Sequence, residues 1–161
     1  MKQRNSGFTM IELLVVMAIL GILAVAALPL SETQVKAHKE RQLREGLWEI
    51  RDALDRYKQF YDQGLIPAQA AGNGYPPDLL TLVQGSPQVL PDKTISSTAK
   101  HFFLRRIPRD PFADPALPAE KTWGLRSYAS PPDRPEPGSD VFDVFSKSTL
   151  KAMDGSNYNQ W

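Results

Sequence analysis

Hydrophobic positions follow three regimes along this chain. From residue 8 to residue 28 they are continuous: FTMIELLVVMAILGILAVAAL carries a single charge, Glu12, in 21 residues. A helix of that length reaches about 31 Å, enough to cross a hydrocarbon core. Farther on they become periodic, at Leu43, Leu47, Ile50, Leu54, Tyr57 and then Phe60 or Tyr61. Spacings of four and three predict an amphipathic helix with one buried stripe. Lys39, Glu40, Arg41, Arg44, Glu45, Glu49, Arg51, Asp52, Asp55 and Arg56 fill its other faces and are expected in solvent. Between these regimes, residues 31–42 have no apolar face to bury in a monomer. They read as an exposed neck, or as a surface that packs in a polymer. Pro29 predicts a kink or local melting, because it lacks an N–H and clashes with the preceding turn.

The third regime begins after Gln63. Thirteen of the 14 prolines lie from Pro67 onward, which excludes long helices there. Residues 63–77 read as a loop, and the Pro76-Pro77-Asp78-Leu79-Leu80-Thr81-Leu82-Val83 segment as a short helix with proline in its first turn, stopping at Gly85. Residues 122–130, with Trp123, Leu125 and Tyr128, and residues 140–146 read as strands. Residues 131–138, with four prolines, join them as a loop. Arg105, Arg106 and Arg109 read either as an anion site or as a rigid turn whose arginines face solvent or Asp110. The expected fold is α+β: a long N-terminal helix, membrane-spanning in its first half and amphipathic in its second, packed on a small antiparallel sheet with proline-rich loops.

Glu12 is the costly feature of the apolar run. An ionised side chain at that depth costs roughly 2.5–3.5 kcal/mol on insertion scales, so a partner is expected. The leader MKQRNSG is basic and ends at Gly7, while no small-residue cleavage site follows the helix. Cleavage after Gly7 leaves the helix in place, with Phe8 as the new N-terminus and Glu12 one turn away. Carboxylate and amine then pair within one chain or between copies offset by about a turn. The simpler alternative is that Glu12 snorkels to the interface near the helix start, where the dipole favours it. Small residues Ala18, Gly21 and Ala24 permit close helix contact.

Gly7-Phe8-Thr9-Met10-Ile11-Glu12-Leu13-Leu14 resembles the type III signal of type IV pilins and type II secretion pseudopilins. The resemblance implies cleavage between Gly7 and Phe8 by an inner-membrane prepilin peptidase, N-methylation of Phe8, and pairing of Glu12 with the Phe8 amine of a neighbouring subunit. It divides the chain into a leader (1–7), a transmembrane helix and assembly segment (8–30) and a periplasmic domain (31–161). Ile107-Pro108-Arg109-Asp110-Pro111-Phe112, Trp123-Gly124, Asp143-Val144-Phe145-Ser146, Asp154-Gly155, Tyr158 and Trp161 resemble the major, G-type pseudopilins. That likeness implies a calcium ion in the C-terminal loop, with Asp143, Ser146 and Asp154 as candidate ligands. Lys147 and Lys151 are unhelpful beside a cation, and the plainer reading makes Asp143 a strand-edge residue and Asp154-Gly155 a turn.

Charge and composition add exclusions. The formal charge is +1, and loss of Lys2 and Arg4 with the leader takes it to −1, so no nucleic-acid surface is expected. Without cysteine there is neither a disulfide nor thiol chemistry. His38 and His101 lack nucleophile or metal spacing, and no HExxH, GxSxG or phosphate loop is present, so no enzyme is expected. Basic residues before the helix predict a cytoplasmic leader and a translocated C-terminal region. The expectation is a filament subunit in the inner membrane and periplasmic pseudopilus. Its implied partners are further copies of itself, minor pseudopilins, the peptidase and an inner-membrane platform with a cytoplasmic ATPase. A type IV pilin or minor pilin, and a membrane-tethered enzyme or binding protein, are the alternatives.

Overall fold

The computed structural model describes residues 8–68 and 72–161, apart from the side chains at 25–32. Thr9 starts the first helix: its hydroxyl accepts the Glu12 amide at 3.3 Å and its carbonyl the Leu13 amide at 3.2 Å. This is an N-cap, satisfying donors that a first helical turn otherwise leaves orphaned. Helix α1 spans Met10–Asp62, 53 residues. Gly7 lies outside the described residues; at Pro29 the backbone stays helical, so α1 continues through the position where a kink or local melting is expected.

Two compact units divide the chain, Met1–His38 and Lys39–Trp161. In the first, each large apolar side chain described from Phe8 to Leu23 is at least 50% exposed. Among the described residues no helix is long and apolar enough to cross a membrane. The span expected over 8–30 includes side chains at 25–30, which lie outside them.

In the second unit, the stripe of α1 does what its spacing predicts. Leu43, Leu47, Ile50, Leu54 and Tyr57 are buried, with Phe60 and Tyr61 packed partly against them. They share one core with Leu79, Leu82, Phe103, Trp123, Val144 and Tyr158. Gly46 lies under the Trp123 ring; a Cβ there would meet it at 3.2 Å. The indole is fixed by donating to the Pro108 carbonyl at 2.8 Å.

The short helix is shorter than expected. Helix α2 is Leu80–Gln84, with the Asp78 carboxylate accepting both the amide and the hydroxyl of Thr81 at 2.8 Å. Pro76 stays outside it because its carbonyl accepts the Val141 amide at 2.8 Å. Strands β1 (Ser86–Val89) and β2 (Ile95–His101) then form an antiparallel hairpin, irregular between Pro87 and Val89. That hairpin is absent from the sequence expectations, because Pro87 and Pro91 mask the strand pattern. Its turn holds Lys93 at φ 65, with Asp92 accepting Thr94's amide and hydroxyl.

Helix α3 (Ala119–Thr122) leads into β3 (Trp123–Arg126), which pairs antiparallel with β4 (Asp143–Ser146). The described residues thus form two two-stranded sheets rather than one. Both β3 and β4 are shorter than the expected 122–130 and 140–146. Buried Asp140 explains this: its carboxylate takes the Tyr128 amide, the Ser127 hydroxyl and the Asn73 side-chain amide at 2.8–2.9 Å. Those groups close the proline-rich loop between the strands instead of extending the ladder. In the ladder Gly124 faces Phe145, and a Cβ on Gly124 would lie 2.4 Å from that ring.

Candidate functional site

Two places carry candidate chemistry. The first is the start of α1. Glu12 is exposed in the first turn, where a carboxylate is favoured by the helix dipole. Its amide is held by Thr9, so Thr9-Met10-Ile11-Glu12 has the spacing of a capping box. The sequence reading missed that signal. Phe8 is 85% exposed and the apolar side chains beyond it are at least half exposed, so the described segment has little to bury against within its own unit.

The second place is where residues 150–161 meet α1. Charges expected on a solvated face turn inward here. Glu40 is buried at 7% exposure, its Oε1 accepting the Met153 amide at 2.7 Å and the Tyr158 hydroxyl at 2.8 Å. Burial, and then the hydrogen bond to Glu40, push the Tyr158 phenol up to about 12. About three turns farther along α1, Arg51 gathers three oxygens. Its Nε donates to Asp143 Oδ1 at 2.8 Å, and its terminal nitrogen to the carbonyl oxygens of Val144 at 3.1 Å and Trp161 at 2.6 Å. Arg44 lies over the Trp161 ring at 4.3 Å, and the Trp161 indole donates to Ser156 at 2.7 Å. Tyr158 also stacks on Phe112, with centroids 4.2 Å apart. Signals for both charges were present in the sequence. Glu40 is three residues before Leu43 and Arg51 four after Leu47, so each continues the buried stripe.

The candidate calcium ligands are not brought together as one donor set. Asp143 is claimed on both oxygens, Oδ1 by Arg51 and Oδ2 by Arg126 at 3.7 Å. Ser146 is fully buried and donates to Asp110 Oδ2 at 2.6 Å. Asp154 is exposed, and its Oδ1 accepts the Ser156 hydroxyl at 2.6 Å and the Ser156 amide at 2.9 Å. Those bonds, the hydroxyl first, hold its carboxyl below the ordinary aspartate range. Calcium takes six to eight oxygens at about 2.3–2.6 Å, and the side chains in this arrangement do not fit it. Among the described residues no group of three or more His, Cys, Asp or Glu side chains is placed to hold a metal ion.

The arginine-rich turn is a structural device. Arg109 donates to the carbonyls of Leu117 at 2.5 Å and Asp114 at 3.0 Å, while Arg105 and Arg106 are exposed. Asp110 is buried and accepts the Phe112 amide at 2.8 Å and the Ser146 hydroxyl, so its partners are β4 and its own loop rather than the arginines. Phe145 and Trp161 are half-buried and Tyr158 fully buried, in keeping with a core role.

Comparison with known proteins gives a family match and several relatives. A family described as the prokaryotic N-terminal methylation motif matches residues 2–28. The chain is 31% identical over 115 residues to a type II secretion system core protein G of Aeromonas hydrophila, covering 71% of this chain and 72% of that one. It is 32% identical over 117 residues to the protein of that name from Pseudomonas aeruginosa, with the same coverage of 71% and 72%. A fimbrial protein, EcpC of Eikenella corrodens, is 36% identical over 74 residues, 46% of this chain and 47% of its own. No solved structure matches significantly.

Proposed function

The chain belongs to the family of the type II secretion system core protein G, and from that premise we propose how it works. It is a structural subunit of a type II secretion pseudopilus and carries the N-terminal methylation motif. A prepilin peptidase cuts between Gly7 and Phe8, and the new Phe8 amine is methylated. Glu12 then neutralises the Phe8 amine of a neighbouring copy. The exposed apolar face of the first unit is buried against other copies, where it leaves lipid for a dry bundle.

The subunit waits in the inner membrane with its leader cytoplasmic and its C-terminal domain periplasmic. It polymerises with itself and with minor pseudopilins on an inner-membrane platform driven by a cytoplasmic ATPase. Growth of the filament drives protein export across the outer membrane. The chain's work is assembly, and we assign it no catalytic role.

The observation that carries this reading is the match across 71% of the chain to a named secretion-system core protein, joined to the methylation motif at residues 2–28. The test is Glu12→Ala in cells lacking the wild-type protein. The variant is expected to be cleaved and to accumulate in the membrane. Pelletable filament and secreted substrate are expected to fall by at least tenfold. Normal assembly by Glu12→Ala would remove the carboxylate–amine pairing from the mechanism.

A surface fimbria is the second reading, favoured by the likeness to the Eikenella fimbrial protein. Assembly that survives loss of the secretion platform but stops without a pilus platform would select it.

A further inference from the structure

We propose that the guanidinium of Arg51 is the cation that closes the C-terminal segment of this subunit, so that the segment is held without a divalent ion. Three oxygens from two separate parts of the chain converge on it. They are the Asp143 carboxylate on β4 at 2.8 Å, the Val144 carbonyl at 3.1 Å and the Trp161 carbonyl oxygen at 2.6 Å. A carboxylate with two carbonyls is the hard-oxygen set that calcium prefers. Here a monovalent, permanently charged group with a fixed fork of donors fills it.

The surroundings are arranged for this cation and against a second one. Arg126 stands 3.7 Å from the other oxygen of Asp143, so a divalent ion approaching that carboxylate meets two guanidinium groups. Asp154, the exposed carboxylate of the tail, spends Oδ1 on Ser156, while Oδ2 lies 4.0 Å from Arg44. Arg44 in turn covers the Trp161 ring, and the indole reaches back to Ser156. A metal approaching Asp143 would have to displace Arg51 from its Oδ1.

As exposed ion pairs these contacts would contribute little, since solvent screens them. The Arg51–Asp143 pair is only 39% and 29% exposed. The guanidinium also donates to two main-chain carbonyls, and such charge-assisted bonds are directional. The result is a clasp that ties α1, β4 and residue 161 through one side chain.

The experiment uses the full chain in detergent micelles, with thermal unfolding followed in millimolar CaCl₂ and in chelator. The two midpoints are expected to agree within about 1 °C, because a ligand that does not bind the folded state cannot shift it. A calcium-dependent rise of several degrees overturns the proposal. Arg51→Ala is expected to lower the midpoint by roughly 5 °C. Arg51→Lys, keeping the charge but losing the fork, is expected to recover only part of it. An Arg51→Ala midpoint equal to wild type also overturns the proposal. If that variant fails to fold, the calcium comparison on the wild-type chain decides alone. Filament assembly does not enter either readout, so failure of the Glu12 pairing and failure of the Arg51 clasp are separately visible.

Discussion

The segment from Phe8 to Leu23 and the unit Lys39–Trp161 use similar apolar side chains in opposite ways. Leu14 is 57% exposed, whereas Leu54, on the same helix, is 1% exposed. Leu54 belongs to one buried stripe, and strands, loops and aromatic rings of the same unit cover it. Leu14 belongs to a surface that is apolar all round, which a single helix cannot hide from water by itself. The second unit therefore completes its core alone, whereas the described apolar side chains of the first stay exposed in a single copy, and in the proposed function other molecules cover them. A filament subunit needs both behaviours: a self-sufficient fold and a face whose burial is deferred until assembly.

The sharpest way to break that contrast is to truncate matched leucines. Leu54→Ala is expected to destabilise the folded unit by about 2–5 kcal/mol through lost burial and a residual cavity. Leu14→Ala is expected to leave the midpoint unchanged and to weaken filament assembly instead. Thermal unfolding beside a pelleting assay reads both. A fall in midpoint with Leu14→Ala would mean that the first segment already buries its side chains within the monomer.

A smaller effect tests how tightly the second unit is packed. Gly124→Ala places a methyl 2.4 Å from the Phe145 ring and is expected to cost about 1–3 kcal/mol as overpacking. Pairing it with Phe145→Leu should return part of that loss. If the double variant is no better than Gly124→Ala, backbone rather than ring contact sets the need for glycine.

The smallest effect concerns the tail. The Tyr158 phenol is raised from 10.0 to about 12, chiefly by burial. In alkali the unfolded chain gives up this proton first, so its contribution is complete below pH 10 and is lost as pH rises through about 12. Tyr158→Phe leaves Glu40 one donor short, with the Met153 amide still in place, and is expected to cost about 0.5–1.5 kcal/mol near neutrality. The difference between wild type and Tyr158→Phe, measured by denaturant unfolding, should shrink between pH 10 and 12. A constant difference across that range would mean that the phenol ionises as freely in the fold as in the unfolded chain.

Much of this was legible in the residues. The stripe from Leu43 to Tyr57, the Gly7-Phe8 and Glu12 signal, the ladder at 143–146 and the loop through residues 131–138 are local patterns, each fixed by neighbours a few positions away. The β1–β2 hairpin was hidden by its prolines, and the strand lengths by Asp140, whose three donors come from residues 73, 127 and 128. The fate of the charges on α1 was harder still. Periodicity puts Glu40 and Arg51 beside the stripe, but whether a charge turns in or out depends on what arrives to meet it. Glu40 meets Tyr158 across 118 positions, and Arg51 meets Trp161 across 110. Sequence alone determined the helix, its apolar stripe and the N-terminal methylation motif, because these rest on spacing along one backbone. Only the tertiary structure decided that Arg51, rather than the expected trio of oxygen ligands, gathers the tail. That choice rests on which oxygens the fold brings within hydrogen-bond reach of a fixed positive charge.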